Sequence, residues 1–128
     1  MTYSIKQVAE KCSMKEHVLR YYEKEGLLPS VARGSGGARR YSADDLEWLS
    51  LVCCLKKTGM SIKQIREFVD LSKQGDATLA DRVDMLRAHK LSVEEQMLET
   101  QAHLDKVSCK IAYYMEQYDA YADRAELG

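Results

Sequence analysis

The chain has 128 residues, 45% hydrophobic and 30% charged, with a net charge of −1, which suits one small folded domain with an appendage. No apolar run approaches the ~20 residues of a membrane-spanning helix, and the first residues lack the apolar stretch of a secretion signal. A cytoplasmic protein with no membrane partner is expected, and its four cysteines (Cys12, Cys53, Cys54, Cys109) are expected as thiols. They include no C-x-x-C pair, which argues against a structural zinc site; no metal or cofactor is expected.

Charge is unevenly shared. Residues 1–75 hold 13 Lys and Arg against 9 Asp and Glu, whereas residues 76–128 hold 6 against 11. Helix starts are marked by a hydroxyl residue followed three positions later by an acid or Gln, at Ser4/Gln7, Ser13/Glu16, Ser42/Asp45, Ser61/Gln64 and Thr78/Asp81. Each pairs a cap with a side chain able to reach back to the cap's N–H. With the apolar periods that follow, they predict helices near 5–11, 14–25, 43–58, 62–73 and 78–121.

The first two helices are short and joined by a tight turn. The second carries V-L-R-Y-Y-E-K-E-G-L-L-P, Val18 to Pro29, in which Arg20 and Tyr21 are residues that reach phosphate oxygens. A second short helix bearing such residues suggests a helix-turn-helix that enters a DNA groove. Residues 30–41 then hold three glycines with Arg33, Arg39, Arg40 and Tyr41. This is a loop or small hairpin, read as a wing touching the DNA backbone beside the recognition helix.

On the third helix Leu46, Leu49, Val52 and Leu55 form an apolar stripe, with Cys53 at its edge as a packing residue. Cys54 falls opposite, in line with Glu47, Ser50 and Lys57. A cysteine there does not fill the core, and Lys57 at i+3 favours its thiolate.

The last helix carries a seam stepping by four and three residues: Leu79, Val83, Leu86, Lys90, Val93, Met97, Thr100, Leu104, Val107, Ile111, Tyr114, Tyr118 and Tyr121. Eleven of these thirteen are apolar or aromatic, which indicates a coiled coil. A helix roughly 65 Å long cannot bury such a stripe against a head of some 75 residues, so a second copy is expected along the seam. Polar Lys90 and Thr100 would fix its register.

Several segments together resemble the MerR family of transcriptional regulators: Tyr3-Ser4-Ile5, Leu19-Arg20-Tyr21-Tyr22-Glu23, Glu25-Gly26-Leu27-Leu28-Pro29, Arg39 with Tyr41-Ser42, Asp45-Leu46, Thr58-Gly59-Met60-Ser61-Ile62 and Ile65-Arg66. The resemblance covers almost the full length. It implies a mainly α fold: a winged helix-turn-helix head (1–42), a two-helix connector (43–75) and a long helix (76–128) that dimerises in an antiparallel coiled coil. It also implies a homodimer that binds a pseudo-palindromic promoter spacer, distorts it and presents it to RNA polymerase, as an activator rather than an enzyme.

By the same resemblance, Arg20, Tyr21, Arg39 and Tyr41 contact DNA and Lys15, His17 and Val18 read bases at the start of the recognition helix, while Arg40 joins the contacts through its charge in the wing. Leu19 and Tyr22 fall to the core. Lys15, His17 and Val18 depart from the common Ser/Thr, Arg, Thr pattern, and Ala38 replaces an aromatic. The cysteine pair of the metal sensors is absent. Cys54 in C-L-K-K-T-G-M-S-I matches instead the small thiol-based members that respond to aldehydes and other electrophiles. Two alternatives stay open: another small ligand or a metal as the effector within the same class, and a coiled-coil interaction module that does not bind DNA.

Overall fold

A computed structural model describes residues 2–28, 32–34, 37 and 39–127, with Ala32 and Arg33 described by their backbone alone. Pro29, Ala38 and the side chain of Arg33, named above, lie outside the described residues. The elements in order are α1 (Ile5–Cys12), α2 (Glu16–Lys24), β1 (Ala32–Arg33), β2 (Arg39–Arg40), α3 (Ala43–Lys57), α4 (Ile62–Lys73), a short 3-10 turn (Asp76–Thr78) and α5 (Leu79–Leu127). They fall into two compact units, Met1–His89 and Lys90–Gly128.

Three of the five expected capping boxes form. The hydroxyls of Ser4, Ser42 and Ser61 accept from the N–H groups of Gln7, Asp45 and Gln64, whose side chains accept in return from the cap N–H. The other two do not. Ser13 does not open α2; it closes α1 in the left-handed region at φ 53°, and α2 starts from Lys15 with no side-chain cap. Thr78 is buried, and its hydroxyl donates to backbone carbonyls of Leu71 and Gly75. At Thr78 the hydroxyl that local pattern assigned to a cap bonds the preceding turn instead, and at Ser13 the left-handed backbone ends α1.

Three helix ends share one device. Ser13, Gly26 and Gly59 all have positive φ, and the next residue's N–H reaches back five positions: Met14 to Ala9 at 3.0 Å, Leu27 to Tyr22 at 3.0 Å, Met60 to Leu55 at 2.9 Å. This is the Schellman closure, which satisfies carbonyls a helix end would otherwise leave open and turns an apolar residue inward. Leu27 and Met60 are accordingly buried, and Met14 packs on the core.

The core of the first unit draws on every helix there: Val8 from α1, Leu19 from α2, Leu49, Val52 and Leu55 from α3, and Ile65 and Val69 from α4, with Leu86 of α5 packed against them. Strands β1 and β2 pair antiparallel, Ala32 opposite Arg40 and Arg33 opposite Arg39. Tyr3 and Tyr41 exchange backbone hydrogen bonds of 2.7 and 2.8 Å, which tie the wing to the start of the chain. The second unit is one stretch of α5, and its Met97, Leu104, Val107, Ile111 and Tyr114 are exposed. Val83 and Leu79, nearer the start of α5, are also exposed, whereas Val93 is half-buried. No described helix is long and apolar enough to cross a membrane.

The left-handed closures yield a stability test. A Cβ at Gly26 would meet nothing nearer than 3.9 Å, so Gly26→Ala is expected to cost about 1 kcal/mol through backbone strain alone. Ser13→Gly relieves the same strain and is expected to gain up to ~1 kcal/mol. Urea unfolding of the two variants measures both.

Candidate nucleic-acid interface and thiol groove

Helix α2 has nine residues, too few to persist alone in water, so its position is set by what holds it. Its inner face buries Leu19 completely and Tyr22 in part. Full burial of one such leucine contributes about 1.5–3 kcal/mol. Its outer face presents His17, Arg20, Tyr21 and Lys24 to solvent, with Lys15 just before it and Val18 half-buried. Tyr21 keeps 48% of its surface exposed. Arg20 lies 3.5 Å from Glu16 in an exposed pair, which stabilises little and leaves the guanidinium available.

The far end of α2 is gripped from two sides. Arg39 of β2 donates through Nε to the Glu23 carboxylate. Arg66 of α4 donates from Nε to the Glu25 carbonyl at 2.8 Å and from Nη2 to its carboxylate at 2.9 Å. Arg66 was visible in the sequence only as part of a motif; its grip on Glu25, 41 positions away, had no local signal.

Two matches agree on what this arrangement is. Residues 3–71 fit the model of the MerR HTH family regulatory protein, and residues 46–108 fit that of the MerR DNA-binding region. The chain belongs to the MerR family. An HTH-type transcriptional regulator of Haemophilus influenzae is 41% identical over 116 residues, 91% of this chain and 86% of that one. Among solved structures, HiNmlR, a MerR-family regulator lacking the sensor domain and bound to promoter DNA, is 41% identical with a TM-score of 0.85, covering 91% of this chain and 92% of its own. A MerR-family regulator from Bacillus thuringiensis is 36% identical with a TM-score of 0.82, covering 88% and 98%. These relatives are transcriptional regulators, not enzymes.

Within this MerR-family head, two of the residues expected to touch DNA are placed otherwise. Tyr41 is 0% exposed and lies inside the core, because the Tyr3 bridge turns its side chain inward while its backbone carries the wing. Arg39 is half-buried and engaged by Glu23, so it fixes the wing against α2 rather than standing free. Arg40, in the same strand, is half-buried and shows no ion pair among the described residues.

The thiols divide into two environments. Cys54 and Cys109 are exposed, whereas Cys12 and Cys53 are partly buried. The Cys53 thiol donates to the Met14 sulfur at 3.1 Å. Burial pushes the Cys53 thiol up, as does the nearby Cys12, against a smaller opposing pull from Lys57. Burial also raises Cys12, opposed by Lys11. Cys12, Cys53 and Cys54 line one groove between α1 and α3 together with Lys11, Ser50 and Lys57. Glu47, on the Cys54 line of the helix, borders a second groove with Asp44 and Trp48. Thr58 donates to the Cys54 carbonyl at 2.7 Å and lies 2.6 Å from His89 Nε2 of α5.

Two outcomes follow from the raised thiols. Maleimide at neutral pH is expected to label Cys54 and Cys109 well before Cys12 and Cys53, with site-resolved mass spectrometry giving the order. A thiol raised in the folded state stabilises it below the unfolded pKa, and that contribution is lost as pH rises through the folded value. Unfolding stability is therefore expected to fall above about pH 9, the ordinary thiol value here, and to fall less in Cys12→Ala and Cys53→Ala variants.

Proposed function

We propose that this regulator works as a homodimer, binds a pseudo-palindromic spacer between promoter elements, and activates transcription in the cytoplasm by bending and untwisting that spacer for RNA polymerase. The observation that carries the reading is the outer face of α2, with Lys15, His17, Arg20 and Tyr21 open to solvent beside a wing held by the Arg39–Glu23 pair. That HiNmlR, similar over nearly its whole length, is bound to promoter DNA supports it. Arg40 and the wing backbone supply phosphate contacts, and Arg39 and Tyr41 act by holding the wing. The head spans residues 1–42, the connector 43–75 and the dimer helix 76–128.

The exposed apolar side chains of α5 support the dimer. A line of Met97, Leu104, Val107, Ile111 and Tyr114 in water is a surface that a second helix covers by heptad packing, with Leu79, Val83, Leu86 and Val93 continuing the seam. Distorting a duplex costs of order 1–6 kcal/mol, and two heads on one duplex offset it with phosphate contacts.

Cys54 is the switch: an aldehyde or related electrophile modifies it, and the change biases which dimer shape is populated. Its carbonyl accepts from Thr58, and Thr58 meets His89 of the long helix. This supports a short mechanical route from the modified turn to α5.

Fluorescence anisotropy with an inverted-repeat duplex tests the DNA reading. Affinity is expected to fall steeply with salt, and Arg20→Ala is expected to weaken binding and reduce the slope of log K against log salt by about one; binding that ignores both defeats the proposal. Cys54→Ser is expected to abolish aldehyde-induced transcription while leaving duplex affinity unchanged.

A further inference from the structure

Helix α3 separates two grooves of opposite character. One is bordered by Asp44, Glu47, Trp48 and Leu51. The other offers about 490 Å³ between α1 and α3 and has Lys11 and Lys57 among its lining residues, with Ser50 and three thiols between them and no carboxylate. Neither lysine forms an ion pair with a described carboxylate, and both act on the groove's thiols, Lys11 on Cys12 and Lys57 on Cys53. A nucleophile in a groove lined by two lysines and no carboxylate, with Lys11 Nζ 5.1 Å from the centre of the Tyr3 ring, discriminates by charge.

We propose that this groove binds a small aldehyde bearing a carboxylate, with Lys11 and Lys57 holding the anion and Cys54 adding to the carbonyl carbon. This rests on the reading of Cys54 as the reactive thiol and names the class of effector it takes. In the step, an S–C bond forms and the carbonyl π pair becomes a hydroxyl that receives the thiol proton. Nothing is oxidised or reduced, and the product is a thiohemiacetal. Ser50 offers a hydroxyl to the ligand. Cys12 and Cys53 are held as neutral thiols by burial, so they wall the groove without competing for the carbonyl.

Iodoacetate and iodoacetamide have nearly the same size and differ in charge, so they read the selectivity directly on the full chain. Alkylation rates are followed by peptide mass spectrometry at Cys54, with the exposed Cys109 as the reference inside the same molecule. The iodoacetate-to-iodoacetamide rate ratio is expected to be about five-fold higher at Cys54 than at Cys109 at low salt, and to fall as salt is added. Replacing both lysines (Lys11→Gln with Lys57→Gln) is expected to bring the two sites together. Equal ratios in the unaltered protein, or a ratio indifferent to salt and to both lysines, overturn the site. Glyoxylate is expected to protect Cys54 from iodoacetamide at lower concentration than methylglyoxal, a neutral aldehyde of similar size; equal protection overturns the ligand class. Lost selectivity overturns the groove whatever Cys54→Ser does to transcription, and undiminished induction in Cys54→Ser overturns the switch whatever the selectivity.

Discussion

Everything the head does depends on holding a nine-residue helix that cannot hold itself. Helix nucleation costs more than so few hydrogen bonds return, so α2 exists because its surroundings fix it. Leu19 anchors its inner face in the core. The left-handed closures at Ser13 and Gly26 set the chain direction before and after it. Arg39 and Arg66 then take its two terminal acids from a strand and from α4. These two pairs stabilise by little individually, since both are partly open to solvent. Their value is geometric: each removes a direction in which the outer face of α2 could move relative to the wing.

The same economy of contacts explains why the thiols differ. A cysteine turned toward the core is desolvated and stays protonated, as Cys12 and Cys53 do. Cys54 follows Cys53 directly, yet a rotation of ~100° per residue carries it to solvent. Two adjacent residues thus differ in chemistry because the helix gives them different solvents. The turn that ends this helix is bonded through Thr58 to both Cys54 and His89, so a change at the exposed thiol occurs next to a contact with α5.

Much of the fold was legible along the chain. The five helices lie within a few residues of their expected bounds, except that α5 continues to Leu127, since no glycine or proline interrupts its period. The seam was legible for the same reason. The start of α2 was misread because Ser13 and Glu16 have the spacing of a capping box, whereas the turn between α1 and α2 needs a left-handed residue at Ser13. Tyr41, which the family resemblance places at the DNA, has its ring turned inward by the bridge to Tyr3, a pairing across the chain that no local pattern shows.

What the sequence by itself determined is whatever repeats or acts within a few residues: the periods that make the helices, three capping boxes, the apolar line along α5 and the opposition of Cys54 to the α3 stripe. Only the tertiary structure decided which distant residues meet. Arg39 finds Glu23 across 16 positions, Cys53 finds Met14 across 39, and Arg66 finds Glu25 across 41. No period encodes such pairs, because they arise when separate elements bury their apolar faces together and bring along the polar side chains at the edges.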